Sequence, residues 1–210
     1  MEGLKFASLM NSGQACVAQT RILASRARYA DVVDALAETV SGMAVGDPLD
    51  PATEIGPMVA QRQQERVEKY IALGQEEGAR VVVGGNGMPD GLTSGWYVRP
   101  TVFADVDNRM RIAQEEIFGP VLSVIPFDDV DDAVRIANDS EYGLAGTVWT
   151  GDVESGLDVA RRVRTGTYGV NTYTMDFAAP FGGFKSSGIG REFGPEGLAH
   201  YTELKSIYQP

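Results

Sequence analysis

The 210-residue chain is poor in the residues that most often announce a site. It has one cysteine, Cys16, and one histidine, His200. A single cysteine excludes an internal disulfide, and the two together are too few for a Cys/His zinc cluster, so no metal site is expected. Lys and Arg number 18 against 29 Asp and Glu, a formal charge of −11. That deficit argues against a nucleic-acid partner and against an anionic membrane surface, both of which need surplus cations. No apolar run approaches the ~20 residues that span a bilayer, and the first residues lack the charged-then-apolar layout of a secretory signal. Nucleotide loops are missing too. VVVGGNGMPDG (81–91) follows a strand-like run but opens no helix, and FGGFKSSGIGREFG (181–194) breaks the strand–GxGxxG–helix order.

What is present suffices for a folded body. With 43% apolar and 9% aromatic residues the chain can bury a real core, and its length fits one domain or one large lobe. Poverty in cysteine and an acidic surface point to a reducing, cytoplasmic compartment. Strand-like and helix-like stretches alternate. VAQTRILAS (17–25), ARVVVGG (79–85), GWYVRPTVFADV (95–106), GPVLSVIPF (119–127), LAGTVWT (144–150) and TYGVN (167–171) read as strands, the second of them short and buried. ADVVDALAETVSGM (30–43) puts Val32, Val33, Leu36, Val40 and Met43 on one helical face. Further helices are expected over 59–74, over 130–140 behind acidic residues, and over 153–166, the last closed by Gly166. GDPLDPATEIGP (46–57) reads as a loop. Strand–helix–strand repetition predicts an α/β fold with a largely parallel sheet. The tail HYTELKSIYQP (200–210) alternates apolar and polar residues as an exposed edge strand would, which implies a subunit contact and divides the chain into a lobe over 1–199 and a strand over 200–210.

Cys16 sits among Asn11, Ser12, Gly13, Gln14 and Ala15, neighbours that favour a turn and that aim backbone N–H groups outward. A buried structural cysteine keeps apolar company instead. The setting suits a nucleophile, although no neighbouring residue in the sequence supplies its base.

The segment FASLMNSGQACVAQTR (6–21) resembles the active-site segment of the NAD(P)-dependent aldehyde dehydrogenases. EEIFGPV (115–121) and PFGGFKSSGIGRE (180–192) resemble two further segments of that family, and GDPLDPATEIGPMV (46–59) and ANDSEYGLAGTVWT (137–150) match it in the same order. The resemblance implies the family's parallel-sheet catalytic domain with a C-terminal oligomerisation strand, NAD or NADP as cofactor and a small aldehyde as substrate. It implies that Cys16 attacks the aldehyde, that Glu116 bonds the nicotinamide ribose and that Phe118 packs near the nicotinamide. Gln63 and Arg66 match positions facing the adenosine-side ribose. Asn11 is implied in substrate binding, as are Tyr173 and Phe181, which lie with Asn171 and Met175 in or beside the segment lining the aldehyde tunnel. The resemblance begins about ten residues before the cysteine. It therefore implies a catalytic lobe without the cofactor-binding half, close to inactive alone and forming a homo-oligomer or pairing with such a half.

Two other functions are weighed beside this one: a non-catalytic oligomerisation or regulatory module, and a thiol esterase using Cys16 without cofactor. Read without the resemblance, Glu115 and Glu116 are a solvated pair opening a helix, Phe118 and Phe181 are core, Gln63 and Arg66 are a solvated helix face, and His200 is a surface or interface residue.

Overall fold

The computed structural model describes all 210 residues, Met1–Pro210. They fall into two compact units, Met1–Ser140 and Glu141–Pro210. The first holds helices α1 (Glu2–Leu9), α2 (Tyr29–Ser41), α3 (Gln61–Glu76), α4 (Arg111–Gln114) and α5 (Val130–Asn138), and strands β1 (Arg21–Ser25), β2 (Arg80–Val83), β3 (Thr101–Ala104) and β4 (Val121–Phe127). The strand order is β1-β4-β3-β2. Both neighbours of β4 run parallel to it, with Arg21 opposite Ser123 and Thr101 opposite Val121, while β2 pairs antiparallel with β3.

Side chains along the central strands alternate between two cores, as the two-residue period of a sheet covered on both faces requires. Val121, Ile125 and Phe103 enter a core with Val67 and Ile71 of α3, Ile112 of α4 and Ile136 of α5. Leu122, Val124, Val102 and Ala104 enter another with Ile22 and Ala24 of β1 and Val33, Leu36 and Val40 of α2. The near-unbroken apolar run of β4 is thus a strand buried on both faces. α5 begins where its sequence says it should: Asp129 accepts from the Asp132 N–H at 2.8 Å, satisfying one of the helix's orphan donors.

The second unit is one strand–helix–strand crossover and the loops that follow it. β5 (Ala145–Val148) and β6 (Thr167–Val170) are parallel, joined through α6 (Val153–Arg162), and α7 (Gly194–Ala199) comes later.

Several expectations need correction. β1 starts at Arg21 rather than Val17, because the preceding residues form the cysteine loop. β2 is not buried: it is a half-exposed edge strand whose register breaks between Val81 and Val83. α6 ends at Arg162, with Val163 already extended at φ −83°, ψ 125°. Gly166 is needed for another reason, since a Cβ there would lie 1.6 Å from the Gly182 carbonyl oxygen. Glu115 and Glu116 follow the end of α4 instead of opening a helix. The expected pairing of the tail with a second subunit stands apart from these corrections: within the single chain Thr202–Pro210 is exposed throughout, with the Thr202 N–H and hydroxyl donating to the Ala199 carbonyl. α1, α4 and α7, too short to show a clear period, went unforeseen.

No helix is long and apolar enough to cross a membrane, and no group of three or more His, Cys, Asp or Glu is placed to hold a metal.

Candidate active site

Parallel pairing of β1 and β4 puts the segments leading into them side by side at the amino end of the sheet. One is the cysteine loop and the other is Glu115–Gly119. The cysteine loop is closed at its base by the Gln19 N–H donating to the Ala7 carbonyl (3.0 Å) and the Ser8 hydroxyl donating to the Gln19 carbonyl (2.7 Å). Asn11, Ser12 and Gly13 have φ of +51°, +57° and +73°, three successive left-handed residues. The Asn11 amide donates to the Gln14 carbonyl (3.0 Å), tightening this corner. Cys16 lies in the tight turn that follows, closed by the Ala18 N–H donating to the Ala15 carbonyl at 3.0 Å. Its thiol is exposed, and its own N–H donates to no backbone carbonyl of the chain.

Two side chains that sequence reasoning passed over fix this loop. Ser12 is buried and uses its hydroxyl twice on one residue, accepting from the Gly56 N–H (3.0 Å) and donating to the Gly56 carbonyl (3.2 Å). Gln14 accepts from the Val59 N–H at 2.9 Å. The Gly46–Pro57 loop, which holds Gly56 and leads into Val59, is shaped by its own aspartates, which accept from Leu49 and Ala52 N–H groups at 2.9 Å. Neither staple has a local sequence signal, because both partners lie about forty residues downstream.

Gly13 rests directly on the second segment: a Cβ there would fall 2.2 Å from the Gly119 carbonyl oxygen. Within that segment the two glutamates part company. Glu115 accepts from Arg111 Nε (2.7 Å) and from the Tyr70 hydroxyl (2.6 Å). The Arg111 guanidinium, with Tyr70 behind it, holds its carboxyl down at about 2. Glu116 is exposed, and its carboxylate accepts no hydrogen bond from the chain. Phe118 is half-buried at φ +65°, a conformation side chains other than glycine rarely adopt.

The remaining expected residues are placed as follows. Gln63 and Arg66 reach this same segment, but on its main chain. Gln63 Nε2 donates to the Phe118 carbonyl at 2.8 Å, and Arg66 donates to the Glu116 carbonyl. Asn11 is exposed beside the Ser12–Gly56 junction. Tyr173 and Phe181 are half-buried in the second unit, where Phe181 makes an isolated bridge to Glu192 and its ring lies 6.2 Å from that of Phe193. The Asn171 side chain is committed to the Thr150 main chain, accepting from its N–H (2.7 Å) and donating to its carbonyl (2.8 Å).

Residues 1–207 match the profile of the aldehyde dehydrogenase family. The chain belongs to that family. Geranial dehydrogenase of Castellaniella defragrans is 56% identical over 99% of this chain and 43% of the relative's own length. Betaine aldehyde dehydrogenase of Rhizobium etli is 46% identical, with 98% and 42% covered. Among solved structures, a Mycobacterium tuberculosis aldehyde dehydrogenase complexed with NAD+ superposes with a TM-score of 0.96 at 58% identity, over 99% of this chain and 43% of that one. A mutant of an aldehyde dehydrogenase from Pseudomonas syringae, complexed with NAD+ and octanal, superposes at 0.95 with 45% identity, over 98% and 42%. The chain therefore spans about two-fifths of the length of these relatives.

Proposed function

We infer that these residues form the catalytic lobe of an enzyme that oxidises an aldehyde to a carboxylic acid. The observation carrying this reading is the exposed Cys16 on a left-handed loop seated against the segment that presents Glu116. The Cys16 thiolate attacks the aldehyde carbon; the C–S bond forms as the carbonyl electron pair moves to oxygen. The unspent Cys16 N–H is the donor this chain offers to that oxyanion. NAD(P), when bound, supplies the hydride acceptor. Cys16 then carries the acyl group as a thioester until water releases the acid and returns the thiol.

The residues present fit such a cofactor. Glu116 offers a free carboxylate to a pair of ribose hydroxyls, and Phe118 offers a ring face on the same rigid segment. Asn11, Tyr173 and Phe181 are the substrate contacts in this reading. Residues 1–199 act as one lobe and the 200–210 tail as a strand that pairs with a second subunit, in a homo-oligomer within the cytoplasm.

For the 210 residues alone, the proposal is thiol chemistry with almost no dehydrogenase turnover. Iodoacetamide is expected to alkylate Cys16, and nitrophenyl acetate hydrolysis to disappear in Cys16→Ala. NADH formation from a panel of aldehydes should stay far below the ~1–10³ s⁻¹ of ordinary enzymes. An unreactive thiol would sink the catalytic reading in favour of a non-catalytic module, and full turnover would sink the claim of near-inactivity.

A further inference from the structure

The loop that leaves β2, residues 84–87, ends in Asn86–Gly87. Of the chain's asparagines, Asn86 alone is followed by glycine. The root of the loop is fixed to the start of β3. The Gly85 N–H donates to Thr101 Oγ1 at 3.1 Å, and a Cβ at Gly84 would lie 2.2 Å from the Pro100 carbonyl oxygen. The tip is held by α3. Asn86 Nδ2 donates to the Glu68 main-chain carbonyl (2.7 Å) and to Glu68 Oε2 (2.6 Å), while its Oδ1 accepts from Gln75 Nε2 (3.0 Å). The Gly87 N–H donates to both oxygens of the Glu68 carboxylate, at 3.2 and 3.1 Å. Glu68 and Gln75 stand two turns apart on one face of the helix.

An asparagine followed by glycine is a self-reactive pair, because the glycine nitrogen has no neighbouring Cβ to shield it and can attack the asparagine amide carbon. Sterics do not protect Asn86. It and Gly87 are exposed to water, and no atom lies within 4 Å of where a Gly87 Cβ would stand. Hydrogen bonds protect it instead. To react, the Gly87 nitrogen must shed its proton, and the resulting anion would form against the Glu68 carboxylate, which like charge disfavours. The Asn86 amide must also turn toward that nitrogen and give up the three bonds that hold it.

We propose that Asn86 is a latent self-modification site, held dormant by Glu68 and Gln75 and fired when the loop lifts off α3. The only co-reactant is water. The Gly87 nitrogen attacks Asn86 Cγ; the N–Cγ bond forms, the Cγ–Nδ2 bond breaks, and Nδ2 leaves as ammonia with the proton that Gly87 gives up. Water then opens the five-membered imide at either carbonyl. Cleaving the new bond yields aspartate at position 86, and cleaving the old main-chain bond yields isoaspartate. The product no longer fits its seat. An oxygen replaces the Nδ2 that had met Glu68 Oε2 at 2.6 Å, so a hydrogen bond becomes a contact between like charges. One opening of the loop thus becomes permanent, and the edge beside β2 keeps a chemical record of it.

The test incubates the 210-residue chain and the free peptide VVVGGNGMPDG (81–91) in one mildly alkaline buffer and follows conversion at position 86 by tandem mass spectrometry. The folded chain should convert roughly tenfold to a hundredfold more slowly than the peptide, the protection that hydrogen bonds to a charged group provide. Glu68→Ala, a change on the outer face of α3, should convert about tenfold faster than the parent. Gln75→Ala frees Oδ1 alone, so it should convert faster than the parent by a smaller factor, and it serves if Glu68→Ala folds poorly. A parent chain as fast as the peptide overturns the proposal, and so does a folded Glu68→Ala chain as slow as the parent. Asn86→Asp, which mimics one product, should melt ~2–4 °C below the parent, and adding Glu68→Gln should restore part of that loss. An Asn86→Asp chain as stable as the parent would show the product still seated and overturn the one-way release.

Discussion

Replacing Gly13 by alanine is the most incisive perturbation of the cysteine loop. A methyl group there would lie 2.2 Å from the Gly119 carbonyl oxygen, 2.5 Å from its carbon and 3.0 Å from the Pro120 nitrogen. Ordinary contacts are ~3.5–4.0 Å, so the loop must retreat by about 1 Å. Every one of those atoms is backbone, and Gly119 is itself backed by Val67, so the far side has no flexible end to swing away. The left-handed φ of +73° adds ~1–2 kcal/mol for any L-residue. Overpacking costs a further ~1–3 kcal/mol, for a total of roughly 2–5 kcal/mol. At ~2–4 °C per kcal/mol for a chain of this size, the melting temperature should fall by roughly 4–20 °C. A 1 Å displacement should also cut nitrophenyl-ester hydrolysis by up to ~10²-fold, while alkylation of the still-exposed thiol by iodoacetamide changes little. Gly78→Ala is the control: its φ is +96° and no atom lies within 4 Å of the added carbon, so it suffers the backbone strain without the clash. If Gly13→Ala and Gly78→Ala lose the same stability and both keep ester hydrolysis, the seating of the cysteine loop on Gly119 is refuted.

Ser12→Ala strips partners from both the N–H and the carbonyl of Gly56 and should cost ~1–3 kcal/mol, read as a lower urea midpoint at unchanged slope; an unaltered midpoint would show that water replaces the hydroxyl without loss. Glu115 titrates at about 2 in the fold against 4.5 when free. Its carboxylate therefore stabilises the fold above about pH 4.5, and that contribution disappears as pH falls through about 2. With 38% of its side chain exposed, screening leaves about 1 kcal/mol. The stability gap between the parent and Glu115→Gln should accordingly close between pH 4.5 and pH 2, and a gap independent of pH would contradict the pairing with Arg111.

The buried strands and long helices were legible because their periods are set by burial. The run at 119–127 and the apolar face of 30–43 each fall within two residues of β4 and α2. β2 misled because three valines in a row read as interior, yet an edge strand next to α2 needs as much apolar surface on one side. In the candidate site, the turn that holds Cys16 was legible from its small, turn-forming neighbours. The division between Glu115 and Glu116 was not, since adjacent glutamates are chemically identical until Tyr70 and Arg111 claim one of them. The main-chain grip of Arg66 joins residues 51 apart, a distance over which sequence pattern carries no signal.

The loops that matter gather where β1, β3 and β4 begin, which leaves their opposite ends unburdened. There the chain turns at Ser25–Arg26, at Ala104–Asp105 and at Phe127–Asp128, bound by exposed ion pairs such as Arg26 with Asp128 and Arg80 with Asp105. Pairs of that kind contribute little to stability. A fluorophore, an affinity tag or an inserted peptide grafted at those corners has room to hang in solvent, and the thiol at the other rim of the sheet would not feel it.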